Sequence, residues 1–448
     1  MSGKKRTARE AAAFALFDMA ENGAWSDGAL HKQLDQAGLS GRDSALATQL
    51  VYGTVQNELL CDWYLRRFSK VRLAKLSPRV HICLRMAVYQ LVFLDRVPAY
   101  AAVDETVSII RKYARVGEKA VAFSNAVLHA VADAAAQDAL PRLNCPDKES
   151  YYSLRYSHPE WLVRRLSSQY GQKETERILI ENNKLTPVSV RVNQIRMTRE
   201  QVCEALCASG FSAAPHPTAE SVLLVSGGDV ASHALFRDGA ITVQDAAGTL
   251  AVDLLDPKPG EFVIDCCAAP GGKSFAIAER MNNTGRLFSC DIFAHKLKRI
   301  EEGSERLHLT NLTAFLQDAA QNRAEWNDMA DRVLCDVPCS GMGIIRKKPE
   351  IRYKTEEEIA ELPAIQSAIL ANCARYVKPG GTLVYSTCTI LREENEAVVK
   401  AFLAQHPEFE SVPFTHPICG EMSEGWVTLL PHLHQTDGFF IAKLRRKE

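Results

Sequence analysis

The chain has 448 residues, 46% hydrophobic and 24% charged, which excludes a disordered or fibrous protein and exceeds what one ordinary core holds. Its net charge of −1 names no partner, so any hold on a polyanion must come from a local patch. No apolar stretch approaches the roughly 18 residues that a crossing helix needs, which excludes a helical membrane protein and points to the cytoplasm.

The start, Met1-Ser2-Gly3-Lys4-Lys5-Arg6, leads into an amphipathic segment and is not a signal peptide. Apolar residues then recur every three or four positions over 11–19, 45–63, 80–94, 101–113 and 121–135, with Gly, Ser and Pro between them. This spacing predicts an all-α domain over 1–140. Between Cys61 and Val80, six basic residues (Arg66, Arg67, Lys70, Arg72, Lys75, Arg79) stand against one acid, Asp62. Such a run is either a solvated face or a footprint for phosphates. The segment 117–128 reads as an amphipathic helix of the bundle core.

A polar break at 140–150 precedes a helical piece opened by His158-Pro159-Glu160-Trp161. Alternation over 188–193, a helix over 199–209 and a strand over 221–225 predict a small α+β subdomain, so 141–238 is linker plus subdomain. From 239 to 448, apolar runs at 262–267, 286–291, 312–318, 332–337 and 382–387 are interleaved with helical patterns, the longest at 356–376. That pattern predicts βαβ units and a parallel sheet, a C-terminal α/β Rossmann-like domain in a multidomain chain. A run at 438–444 adds a closing antiparallel strand.

Thirteen cysteines, an odd number at irregular spacing and partly inside strand-like runs, behave as reduced thiols rather than a disulfide framework. Cys203 and Cys207 share a predicted helix but have no nearby Cys/His pair to complete a zinc site, so no metal is expected.

Three strand ends carry the chemistry. Asp265-Cys266-Cys267-Ala268-Ala269-Pro270-Gly271-Gly272-Lys273-Ser274 follows a strand and opens a helix. Pro270 suits a first helical turn, and Gly271 and Gly272 let a ligand approach backbone amides. Asp291 ends the next strand, where a carboxylate accepts hydrogen bonds from ribose hydroxyls in doubly wound folds; Asp318 ends the following one and could face an adenine edge. A rival reading is a phosphate loop of an ATPase, since Gly272-Lys273-Ser274 fits its end. Cys267 stands where its first glycine belongs, and two thiols stay unexplained.

Those thiols are Cys339, in Asp336-Val337-Pro338-Cys339-Ser340-Gly341, and Cys388, in Ser386-Thr387-Cys388-Thr389 ahead of a polar helix with Glu393, Glu394 and Asn395. Turn residues expose Cys339, whereas Cys290 and Cys335 read as core filler. A free thiol is only a few per cent thiolate at neutral pH, so a helper is needed, and Lys273 is one. Cytosine carbon-5 is a poor nucleophile. A thiolate added at carbon-6 makes it reactive toward an electrophilic methyl, and an acid beside ring N3, for which Asp336 is suited, stabilises the developing charge. The residues leave open which thiol attacks.

These motifs resemble those of RNA 5-cytosine methyltransferases that use S-adenosylmethionine. Val243-Gln244-Asp245-Ala246-Ala247, Leu430-Pro431-His432 and Asp437-Gly438-Phe439-Phe440 resemble further segments of that family, and the N-terminal region with Ser124-Asn125-Ala126-Val127-Leu128 is similar to a NusB-type RNA-binding domain. The resemblance implies a methyltransferase domain over 239–448 that modifies small-subunit (16S) ribosomal RNA, and the chain is expected to act as a monomer. It implies Cys388 as nucleophile and Cys339 as a second thiol for product release. Cys267, Ala268, Ala269, Pro270, Gly271, Gly272 and Lys273, with Asp291 and Asp318, would bind S-adenosylmethionine, and Asp336 would lie between cofactor and base. Ser274 stands where relatives commonly carry Thr and keeps the hydroxyl. The rival from another class is a non-catalytic RNA-binding factor of the antitermination type.

Overall fold

The computed structural model describes residues 6–448, so the reading of Met1–Lys5 lies outside the described residues. Two compact units divide the chain: one runs to Lys184 and takes in Ile345–Tyr353, the other holds Leu185–Ile344 and Lys354–Glu448.

The first unit is helical: α1 (Ala8–Asn22), α2 (Ser26–Ala37), α3 (Gly41–Gln56), α4 (Glu58–Phe68), α5 (Pro78–Phe93), α6 (Ala99–Tyr113), α7 (Glu118–Ala136), α8 (Lys148–Tyr156), α9 (Glu160–Tyr170) and α10 (Gln172–Glu181). Thr7 opens α1 through a capping box with Glu10, and Gly23 closes it in the left-handed conformation. The single helix expected over 45–63 is two, because Asn57 leaves helical geometry and its side-chain amide donates to the Gly53 carbonyl. Helix α2, rich in Asp, Lys and Gln, carries too little apolar pattern to be seen in the sequence. In α7, Val121, Val127 and Leu128 are buried in the bundle core, as expected.

Arg352 is the unexpected member of this unit. It is fully buried, and among the described residues it has no carboxylate within ion-pair distance. Its guanidinium donates to the carbonyls of Gln56, Ser157 and Asn182 at the C-terminal ends of α3, α8 and α10, and to the Asn183 side chain at 2.7 Å. Three negative helix ends thus stand in for a counter-ion. Burial lowers its pKa to about 10, which still leaves it charged at neutral pH. Arg352→Leu leaves several buried carbonyls unpaired at roughly 1–3 kcal/mol each. The expected result is a loss of about 3 kcal/mol or more, read as a drop of roughly 6–12 °C in the melting temperature. A melt within two degrees or so of the unaltered protein would refute this.

In the second unit, β1 (Val188–Val192), α11 (Arg199–Ala208), β2 (Ser212–Pro215), β3 (Val222–Ser226), α12 (Ala234–Arg237) and β4 (Ile241–Val243) form the small α+β part, an antiparallel sheet in the order β2-β3-β1-β4. Val190 and Val192 of β1 pack with Val202 and Leu206 of α11. On the other face of β1, Arg191 is buried too: it donates to Gln244 and forms an ion pair with Glu279.

The larger sheet follows: α13 (Ala246–Leu255), β5 (Phe262–Asp265), α14 (Gly272–Arg280), β6 (Arg286–Asp291), α15 (Ala294–Leu307), β7 (Leu312–Leu316), β8 (Ala330–Asp336), α16 (Glu356–Ile359), α17 (Leu362–Ala374), β9 (Val377–Thr387), α18 (Glu396–Gln405), β10 (Phe409–Ser411), β11 (Phe414–His416), β12 (Gly420–Met422), β13 (Trp426–Leu429), α19 (Pro431–His434) and β14 (Phe439–Arg446). The order is β10-β14-β9-β8-β5-β6-β7, with β13 on β14. Strands β5 to β9 pair in parallel; β14 pairs antiparallel with β9. Every residue of β5 is buried, as a central parallel strand requires. The chain winds from β5 outward to β7, then returns to β8 on the other side of β5. The crevice of a doubly wound sheet lies at this reversal, off the carboxyl ends of the strands.

Candidate active site

The carboxyl ends of β5, β8 and β9 lie side by side and deliver the three motifs to one edge. Pro270, expected in the first turn of α14, instead follows a cis peptide bond and precedes Gly271; the helix begins at Gly272. Gly271 has φ 109°, and a Cβ there would lie 2.4 Å from the Phe275 ring, so only glycine serves. The loop is anchored by Asp265, the buried last residue of β5, which accepts a hydrogen bond from the Ser274 hydroxyl at 2.6 Å. Its other oxygen is buried with no hydrogen-bond partner among the described residues. Burial pushes the Asp265 pKa up to about 7, against the pull of Ser274. The motif contains Asp265, but only its burial reveals this role.

A cavity of about 220 Å³ opens on this loop. Its walls include Gln244, Asp245, Asp265, Cys267, Ala268, Ala269, Pro270, Gly272, Lys273, Asp336, Asp437 and Phe439. Four carboxylates against one lysine suit a ligand bearing positive charge. Asp291 and Asp318, the other strand-end carboxylates, are not among these walls. Asp291 is buried, accepts from the Phe293 amide at 2.9 Å and lies 3.8 Å from Lys296. Asp318 sits two residues past the end of β7 and accepts from the Ala320 amide and the Gln321 side chain.

Lys273 donates to Asp336 at 2.6 Å, and Asp336 accepts a second hydrogen bond from Ser386, its register partner across β8 and β9. Burial disfavours the Lys273 ammonium, but the Asp336 and Asp265 carboxylates and the Cys388 sulfur outweigh it, and its pKa rises.

Past Asp336 and Ser386 the two motifs bring Cys339 and Cys388 together, Sγ to Sγ 3.1 Å, with either thiol able to donate. Both are half-buried free thiols. Three contacts lock their loops. The Ser340 hydroxyl donates to Thr389 at 2.8 Å, the Gly343 amide to the Cys388 carbonyl at 3.0 Å, and Asn395 bridges Thr387 and the Thr389 carbonyl. A Cβ on Gly343 would lie 1.9 Å from the Gly438 carbonyl oxygen, so these loops pass backbone against backbone. The sequence reading passed over Glu394 as part of a polar helix. It is buried, and it accepts at 2.8 Å from both the Ser340 amide and the Gln366 side chain, while its second oxygen has no hydrogen-bond partner among the described residues. The Cys388 sulfur, burial and the Glu394 carboxylate together push the Cys339 pKa well above the ordinary thiol value.

Three other thiols cluster elsewhere in this unit: Cys266, Cys335 and Cys373, all buried, with sulfurs within 4.8 Å of one another. Burial holds Cys335 and Cys373 well above the ordinary thiol range, as neutral core groups.

The family model of 16S rRNA methyltransferase RsmB/F matches residues 252–445, that of the NusB family 6–133, and that of the RsmF/B-like ferredoxin-like domain 158–231. A relative from Bacillus subtilis (strain 168), named "Probable ribosomal RNA small subunit methyltransferase B", is 37% identical over 99% of this chain and 100% of its own. The chain belongs to the ribosomal RNA small subunit methyltransferase B family. A second family member, "Ribosomal RNA small subunit methyltransferase B" of Serratia proteamaculans (strain 568), is 33% identical over 91% of this chain and 92% of its own. The crystal structure of PH0851 matches with a TM-score of 0.83 at 29% identity, covering 99% of this chain and all of the other. The RsmB/F match takes in the glycine loop and both thiol motifs, and the NusB match takes in the basic run. Among the described residues, no helix is long and apolar enough to cross a membrane.

Proposed function

We propose that the protein transfers a methyl group from S-adenosylmethionine to carbon-5 of a cytosine in small-subunit ribosomal RNA, through a covalent adduct at Cys388. The observation that carries this reading is the paired thiols 3.1 Å apart, beside the Lys273–Asp336 pair that walls the carboxylate-lined cavity. S-adenosylmethionine supplies an electrophilic methyl and carries both a sulfonium and an ammonium, which fits a cavity walled by Asp245, Asp265, Asp336 and Asp437.

Cys388 attacks carbon-6 as a thiolate and forms the S–C6 bond. Asp336, protonated from the Lys273 ammonium it is bound to, hands that proton to ring N3 as the S–C6 bond forms, and takes it back when carbon-5 has accepted the methyl. Once carbon-5 has taken the methyl, a base removes the carbon-5 proton, the C5–C6 double bond re-forms and the S–C6 bond breaks. The Cys339 thiol donates to the departing Cys388 sulfur, which makes it a better leaving group. Transfer of tritiated methyl to deproteinised small-subunit RNA from a strain lacking this gene tests the proposal. Label at carbon-5 of one cytosine supports it; RNA that binds but takes no label would hand the assignment to the non-catalytic factor.

Binding of the cofactor should release a proton. Asp265, raised to about 7, is partly protonated near neutrality, and a cation in the cavity favours its ionised form. Affinity should therefore fall as pH drops below about 7, and calorimetry in two buffers of different ionisation enthalpy should show the proton. Asp265→Asn should abolish that difference. An unaltered protein with no buffer dependence at pH 6.5 would count against the assignment.

The basic run supplies the RNA face. Asp62, its one acid, is buried and held by Arg85 and His81, and Arg79 pairs with Glu21. Arg66, Arg67, Lys70, Arg72 and Lys75 are exposed, and Arg67 stacks over Trp63. If these five hold phosphates, the salt dependence of binding has a log–log slope of about −3.5 for single-stranded RNA, and changing Lys70, Arg72 and Lys75 to Gln flattens it by about 2. Filter binding across salt concentrations measures this, and an unchanged slope in the triple variant would remove the face from the interface.

A further inference from the structure

The sequence leaves open why one of two neighbouring thiols attacks and the other assists. At 3.1 Å, one sulfur holds a proton that the other accepts as a hydrogen bond. The charges around the pair are not symmetric. Glu394 is 2% exposed and bonded to the amide of Ser340, the residue next to Cys339. One of its oxygens is taken up by Ser340 and Gln366, and the other is buried with no hydrogen-bond partner among the described residues. On the Cys388 side stands Lys273, bound to Asp336, whose other partner, Ser386, lies two residues before Cys388. The other charged groups near the pair are Asp336, bound to Lys273, Asp265 beyond it, and Lys354, which donates to the Ser340 carbonyl at 2.9 Å.

We infer that Glu394 is a positioning residue that keeps the shared proton on Cys339 and so leaves Cys388 as the thiolate. A buried carboxylate bonded to the amide next to Cys339 opposes a second negative charge on the Cys339 sulfur, while Lys273 favours one on the Cys388 sulfur. The Cys339 proton, held in this way, is also the one offered to the departing Cys388 sulfur at release. The inference rests on the reading of Cys388 as the attacking thiol, but it concerns the resting protein and needs no RNA.

The test is alkylation of the full chain by iodoacetamide at pH 7 without RNA, with the rate at each cysteine read by peptide mass spectrometry. The thiolate displaces iodide, so the rates report which sulfur carries the charge. Cys388 should react at least about tenfold faster than Cys339 in the unaltered protein. In Glu394→Gln, which keeps an acceptor for the Ser340 amide, that ratio should fall to about threefold or less. Glu394→Asp keeps the charge and should hold the ratio, which a merely structural role would not do. Methyl transfer by Glu394→Gln should lose kcat rather than RNA affinity. An unchanged ratio in Glu394→Gln, or faster reaction at Cys339 in the unaltered protein, overturns the inference. If Glu394→Gln does not fold, the unaltered protein's ratio decides alone. A protein that methylates RNA yet shows no thiol asymmetry defeats this inference only. A protein with the asymmetry but no methyl transfer defeats the proposed function only.

Discussion

Cys388→Ala should abolish methyl transfer, with a loss of roughly 10⁴-fold or more, because Cys388 makes the bond to carbon-6. Cys339→Ala should behave differently. The attacking sulfur remains, so the methyl is still transferred once, but the thiol that sits 3.1 Å from the departing sulfur is gone. Elimination slows, and the enzyme should stay covalently bound to methylated RNA, visible as a retarded band on a denaturing gel. Cys388→Ala should give no band. The double variant should resemble Cys388→Ala, since release cannot matter before attack. A band with Cys388→Ala and a dead Cys339→Ala would exchange the two roles, and with them the reading of Glu394 and Lys273.

The pairing of these thiols was within reach of the sequence in one respect. Both follow apolar runs, and once β8 and β9 are neighbours in a parallel sheet, Asp336 pairs with Ser386 and the cysteines beyond them must meet. The strands themselves were legible because buried parallel strands are continuous apolar runs, bounded here by Asp, Gly and Pro. Their ends were less so: the run 262–267 stops as a strand at Asp265, since Cys266 and Cys267 already belong to the loop. Glu394 and Arg352 were invisible for a common reason. Each sits in a polar stretch that local pattern assigns to the surface, and each is buried by partners distant in sequence, Ser340 and Gln366 for one, three helix ends for the other. Periodicity reports which face of an element is apolar, not which single charge a fold chooses to bury. The strand-end aspartates make the same point from the other side. Asp336 lines the cavity, while Asp318 accepts from the backbone of its own loop.

Lys273→Met should cost about 10²–10³-fold in kcat/KM, equivalent to roughly 3–4 kcal/mol, the scale for removing one preorganised charge from a transition state or breaking one partner of a buried pair. Methionine keeps the apolar stem of the side chain and removes the ammonium, with its pairing to Asp336 and its position 5.0 Å over the Phe439 ring. Asp336 would then keep Ser386 as its one hydrogen-bond donor, and Asp265, Asp336 and the Cys388 sulfur would face one another without a positive charge between them. Two consequences separate this from simple damage. The acid limb of the pH–rate profile should move to higher pH, because the thiolate loses its cation. Affinity for S-adenosylmethionine should hold or rise, because a positive wall of a cavity for a positive ligand has gone. Lys273→Arg keeps the charge and should recover the pH profile even where its bulk slows the rate. A Lys273→Met enzyme with a normal pH profile and weakened cofactor binding would make Lys273 a cofactor contact and leave the activation of Cys388 to some other group.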